Sequence, residues 1–227
     1  MAKQLDLEEQ EQLDQIKHFW KQYGNLITWV LIAILGTYAG WNGYQYWQRS
    51  QAAQASALYD ELERLGAQGD PAKVQRAFTD MRDKFGGTVF ATQGGLLAAR
   101  LLQEAGKADE AKSALTWVAD NASDPAYQAI ARLRLAALLA QAKDYAAAMA
   151  RLDGEFPDDF KPLVADRKGD LLMLQDKPAD ARVQYQQAYA GLDARNEYRR
   201  LVEIKLPALG ADPRPAADAA SASEKQK

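Results

Sequence analysis

Between Lys21 and Arg49 the chain carries no charged side chain, and the centre of this stretch, Leu26 to Trp41, reads LITWVLIAILGTYAGW. From Gly24 to Tyr44 it is 21 residues long, about 31 Å as a helix, which matches the hydrocarbon core of a bilayer. Trp20, Trp29, Trp41 and Trp47 lie in or beside it, with Tyr23, Tyr38, Tyr44 and Tyr46 towards its two ends. Amphipathic rings placed this way suit the two membrane–water interfaces. A cleaved signal peptide would open on a basic region and close on small residues. Here a mostly acidic region comes first, and bulky aromatics stand where cleavage would fall. A buried core helix of this length would be expected to carry some charge. The segment 24–47 therefore reads as one membrane span.

The rest of the chain is arranged around that span. Residues 1–23 form an arm whose Leu13, Ile16, Phe19 and Trp20 recur with helical spacing among acidic neighbours. This predicts an amphipathic helix lying against a membrane surface or a partner. Lys3, Lys17 and Lys21 precede the span, while Arg49 and then Arg64 follow it. That bias places the N-terminus in the cytoplasm and the following domain outside, which is the periplasm if the source is a Gram-negative bacterium. Gly36 and Gly40 make a small-xxx-small pair inside the span and predict a helix-packing face there. From residue 210 a Pro-, Ala- and Ser-rich tail runs to 227; it has too little apolar surface to order itself.

Between them, residues 48–209 carry a repeat. The segments opening at Gly69, Gly106, Lys143 and Asp176 align, at spacings of 37, 37 and 33 residues. Each follows an apolar helical run and opens another. Each ends on a Val or Ala (Val74, Ala111, Ala148 and Ala181) where two helices would approach closely. Seven residues before Asp176 stands Gly169, and Ala99 and Ala136 hold the equivalent places. Gly86-Gly87, Ser123-Asp124-Pro125 and Phe156-Pro157 through Pro162 break the chain between units. Roughly a fifth of the residues are Ala, which favours helix. The reading is all-α: one transmembrane helix, then a solenoid of about four helical hairpins. No break separates the span from the first hairpin, so one long helix is expected to run from one into the other. The turns resemble the tetratricopeptide motif, G-x-Y-x-x-A, in degenerate form: only Tyr145 fits the Tyr position. A hairpin cannot cover its own apolar face, which is why such units stack.

Several functions are excluded by composition. With no Cys and one His, His18, there is no thiolate chemistry, Cys-based zinc site or multi-His metal centre. A net charge of −3, from 28 basic and 31 acidic residues, offers no nucleic-acid footprint. No HExxH, nucleophile elbow or phosphate loop occurs; Gly94-Gly95 is read as close packing or a kink. Asp158-Asp159 reads as a solvated turn, and Arg195, Arg199 and Arg200 as a solvated helix face. No cofactor is expected. If the hairpins stack in the usual way, their first helices line a groove exposing Gln93, Arg100, Gln103, Gln141, Asp166, Asp170 and Met173. That mixed polar set suits weak, tolerant protein binding.

The order of parts resembles the YfgM-like family, the ancillary SecYEG translocon subunits. The resemblance rests on Ile16-Lys17-His18-Phe19-Trp20 before the span and on Trp41 with Tyr46-Trp47 at its far end. It continues in Arg132-Leu133-Arg134-Leu135-Ala136, Ala165-Asp166-Arg167-Lys168-Gly169-Asp170 and Ile204-Lys205-Leu206-Pro207-Ala208-Leu209. The Gly-Gly pairs and the tail depart from the family pattern. The resemblance implies a single-pass bacterial inner-membrane protein that associates with the SecYEG translocon. It further implies a membrane-anchored periplasmic chaperone of the prolyl-isomerase type as partner, and a role in passing translocating polypeptides on. A structural or regulatory scaffold in another envelope complex would share every one of these sequence features.

Overall fold

The computed structural model describes residues 7–211, with side chains from Gln12 onward. The tail expected to be disordered lies almost wholly outside the described residues, as does the start of the arm. Nine α-helices occur among the described residues: α1 Leu7–Gln68, α2 Pro71–Phe85, α3 Val89–Glu104, α4 Ala108–Asn121, α5 Pro125–Gln141, α6 Tyr145–Arg151, α7 Lys161–Leu174, α8 Pro178–Gly191 and α9 Glu197–Lys205. Single 3-10 turns, Asp158–Phe160 and Pro207–Leu209, precede α7 and follow α9. The chain divides into two compact units, one up to Ala53 and one from Gln54. Helix α1 contributes to both and is unbroken, as the absence of a Gly/Pro break predicts.

In the first unit α1 stands without tertiary cover. Of its most apolar eighteen residues only 6% is buried, whereas the core helix of a soluble fold is mostly buried. Trp20, Trp29, Trp41 and Trp47 are all exposed. The hydroxyls of Thr28 and Thr37 each donate to the carbonyl four residues back at 2.8 Å, and the Asn42 amide does so to Tyr38 at 3.0 Å. These bonds satisfy polar side chains that would otherwise be costly in hydrocarbon.

The second unit is a run of helical hairpins. α3 pairs with α4, α5 with α6 and α7 with α8; Leu62 and Leu65 at the end of α1 enter the same core as Val74 and Phe78 of α2, and α9 closes the run against α8. All four aligned turn residues sit in the left-handed region: Gly69 (φ 71°), Gly106 (75°), Lys143 (61°) and Asp176 (59°). The left-handed residue lets the next N–H reach back and cap the preceding helix. Lys107 donates to the Leu102 carbonyl at 2.8 Å, Asp144 to Leu139 at 2.9 Å and Lys177 to Leu172 at 2.9 Å. In two turns the next side chain also caps the following helix: Asp70 accepts from the Lys73 N–H and Asp144 from that of Ala147.

Burial repeats with the turns. Val74, Ala111, Ala148 and Ala181, the last residues of the aligned segments, are buried. Gly94-Gly95 marks close packing and leaves α3 continuous. A Cβ on Gly94 would lie 2.4 Å from Met81 Sδ, and one on Gly95 2.5 Å from Val118 Cγ2. Gly169 likewise admits the Tyr185 ring, which would stand 2.6 Å from a Cβ there. Apolar clusters succeed one another along the stack. One runs from Leu62 to Leu138, one joins Ala129, Leu152 and Leu171, and one joins Ala165, Tyr185, Val202 and Leu206. Each large buried side chain contributes about 1.5–3 kcal/mol.

One surface assignment is corrected. Arg195 and Arg200 are exposed, but Arg199 is half-buried and lies 4.1 Å from the centroid of the Tyr189 ring. A cation over an aromatic face explains why it leaves solvent.

Candidate functional site

The face built by α3 and α5 is polar and cross-linked. The Gln93 amide donates to the Tyr127 hydroxyl at 2.8 Å, and the Gln103 amide meets the Gln141 carbonyl oxygen at 3.5 Å. Arg100, Gln103 and Gln141 are exposed, and Gln93 is half-buried. Arg100 pairs with Glu104 at 3.8 Å, one turn along α3. Tyr59 at the end of α1 lies 6.5 Å from the Phe90 ring. Burial, and then Glu63, hold the Tyr59 hydroxyl above its ordinary pKa, with Arg100 opposing them. Sequence reasoning missed Tyr59. Met173 on α7 is exposed as expected.

Asp166 departs from the sequence expectation. It is 0% exposed and cannot present itself to a partner. Its carboxylate accepts from the Tyr198 hydroxyl at 2.5 Å and from Lys205 Nζ at 2.7 Å. Asp170, one turn on, accepts from the same Lys205 Nζ at 2.7 Å and from the Tyr185 hydroxyl at 2.8 Å. Arg167 approaches its other oxygen at 3.4 Å. The two aspartates on α7 thus fix α9 through Lys205 and Tyr198. Burying a charge is tolerable only when it is paired and hydrogen-bonded, and this pair is both. Burial, and next the carboxylate each one faces, push the Tyr185 and Tyr198 hydroxyls well above the usual tyrosine pKa. The two carboxylates are occupied by donors from the chain itself, which is the chemistry of a structural lock.

A second polar device fixes the chain after α6. Arg132 Nε donates to the Arg151 carbonyl at 3.0 Å and Nη1 to the Glu155 carbonyl at 2.9 Å; Nη2 donates to the Asp153 carbonyl. Its guanidinium carbon lies 3.7 Å from the centroid of the Phe156 ring. Burial draws the Arg132 pKa down from its ordinary value, Arg151 adds to that, and Asp153 opposes it. Lys168 on α7 meets Asp153 at 2.8 Å from the other side. Asp158 is exposed in the turn, with Lys161 holding its pKa below the ordinary value, as a solvated turn requires.

Among the described residues no group of acidic or His side chains is arranged to hold a metal ion. Architecture and surface therefore define a tetratricopeptide-like repeat protein with one N-terminal helix of membrane-crossing length. The family described as a tetratricopeptide repeat-like domain matches residues 17–211. The chain is 34% identical to an ancillary SecYEG translocon subunit of Neisseria gonorrhoeae, over 89% of this chain and 98% of that one. It is 30% identical to the protein of that name from Haemophilus influenzae, over 80% of this chain and 89% of that one. With the one from Escherichia coli the identity is 26%, over 77% and 84%. The chain belongs to the family of ancillary SecYEG translocon subunits. An accessory-subunit family built on such repeats points to a non-catalytic role.

Proposed function

We propose that this chain is a non-catalytic, membrane-anchored accessory subunit of the SecYEG translocon. Its span sits in the bacterial inner membrane with the N-terminus cytoplasmic and residues 48–209 periplasmic. There the repeat domain binds a membrane-anchored chaperone of the prolyl-isomerase type and helps pass translocated polypeptides on to it. The observation that carries this reading is the relationship to the Neisseria protein, which extends over nearly the whole of both chains. The physical logic is effective concentration. A weak site tethered near a channel exit meets emerging chains far more often than a free one would. The exposed Arg100, Gln103, Gln141 and Met173, with half-buried Gln93, form the contact face in this proposal. Asp166 and Asp170 take no part in that face; they hold α9 against α7.

Affinity purification of the full chain in mild detergent tests the proposal. SecY and a prolyl-isomerase chaperone should co-purify, and deleting residues 54–211 should release the chaperone. Recovery of a different envelope complex without translocon components would instead identify a scaffold of that complex.

A further inference from the structure

Helix α6 has seven residues where the second helices of the neighbouring hairpins, α4 and α8, have fourteen each. Beyond Arg151 the chain leaves the helix, and a cleft of about 550 Å³ opens between residues 152–156, α7 and α8. We propose that this cleft binds an extended, uncharged stretch of another polypeptide.

Its floor is apolar, from Leu152, Phe156, Val164 and Ala165. One wall carries the Gln184 and Gln187 amides, one turn apart on α8. Neither has a hydrogen-bond partner among the described residues, and each can both donate and accept. An extended backbone offers the matching alternation of N–H and C=O, while its alternate side chains point to one face. Apolar side chains would then reach the floor while the backbone pairs with the amides.

The charges at the rim do not select a charged ligand. Lys168 pairs with Asp153 and Lys161 with Asp158, and Glu155 lies against Lys161. The volume falls within the ~300–1,000 Å³ common for binding clefts. The cleft is also held open in advance. Arg132 ties three carbonyls of residues 151–155 and stacks on Phe156, and Lys168 ties Asp153. A wall already ordered adds little entropy cost when a ligand arrives. This cleft lies on the α8 side of the hairpins, and its lining shares no residue with the α3–α5 face.

The proposal takes from the translocon reading only the source of the peptide. Peptide binding is measured without the translocon, so either idea can fail while the other stands. The test uses the purified full chain in lipid nanodiscs with fluorescent peptides, one alternating Leu with Ser and one alternating Leu with Asp. The uncharged peptide should bind, and the acidic one should bind more weakly. The double substitution Gln184→Ala with Gln187→Ala, at one half-buried and one exposed position whose amides have no partner among the described residues, should weaken binding about tenfold with little change in melting temperature, a loss of two modest hydrogen bonds. A photocrosslinker at position 187 should capture the peptide, and one at position 100 should not. Unaltered affinity in the double variant, capture at position 100 alone, or no binding by the parent chain would each overturn the proposal.

Discussion

At Lys143 and Asp176 ordinary side chains adopt the left-handed conformation that glycine supplies at Gly69 and Gly106. A non-glycine residue there costs about 1–2 kcal/mol, part of which glycine returns through its freer unfolded chain. Lys143→Gly should therefore stabilise the repeat domain by about 0.5–1 kcal/mol, read as a higher melting temperature. A lower one would mean that the turn is held by something other than its dihedral angle. Asp176→Gly should gain less, because Asp tolerates this region better than Lys. A second residue-scale consequence concerns pH. The Tyr185 and Tyr198 hydroxyls are raised well above the ordinary value of 10.0 in the folded chain. Their contribution is fully present below that ordinary value. As pH rises through about 10 the unfolded chain loses these protons first, and stability falls. The melting temperature should drop over this range, and Tyr185→Phe with Tyr198→Phe should flatten part of the drop. An identical slope in the double variant would remove the two tyrosines from the account.

The two glycines of α3 are not equivalent, although they are adjacent. A methyl group on Gly95 would press on Val118, whose branched side chain has little freedom, and on the Phe78 ring at 3.1 Å. One on Gly94 meets the thioether of Met81, a flexible chain that can swing aside. Gly95→Ala should cost about 1–3 kcal/mol through overpacking, and Gly94→Ala distinctly less, measured by chemical denaturation; the reverse order would contradict the packing described. Close approach at this pair was legible from the sequence, as were the hairpins. Small residues, apolar runs and turn signals recur at a nearly fixed period, and all of these are local properties. The pairing of Asp166 and Asp170 with Lys205 was not. It joins residues more than thirty positions apart, and an aspartate beside exposed positions on a first helix reads as solvated until α9 covers it. Arg199 was misjudged because the ring that receives it, Tyr189, lies on the neighbouring helix α8. The motif blocks that carry the family resemblance did hold the signal. Arg132 lies in one, Asp166 and Asp170 in another and Lys205 in a third; Arg132 and Lys205 are each a charge set among apolar neighbours, whereas Asp166 and Asp170 stand in a mostly charged run. Arg132 also takes the carbonyls of residues 151–155 where α6 stops short, a pairing that no periodicity reveals.

For the molecule as a whole, the unresolved demand is what covers the apolar helix. Gly36 and Gly40 have nothing within 4 Å of where a Cβ would stand. Larger residues there cannot clash with the chain itself, and Leu is a better helix former than Gly. Membrane insertion and the folding of the repeat domain should therefore be unaffected by Gly36→Leu with Gly40→Leu. Any change in behaviour must come from a second helix that packs on this face. Glycines allow two backbones to approach closely enough for dispersion to act, and packing of this kind in a bilayer is worth about 1–2 kcal/mol. Blocking it should reduce SecY recovered with the detergent-purified protein by about fivefold or more, while a chaperone bound, as proposed, by residues 48–209 should stay with the protein. Loss of both partners together would mean that the chaperone reaches the chain through the span. Retention of both would show that the glycines serve only lipid contact and that the translocon is met through residues 48–209. The three outcomes assign the tether and the grip to different parts of the chain, and the double substitution alone separates them.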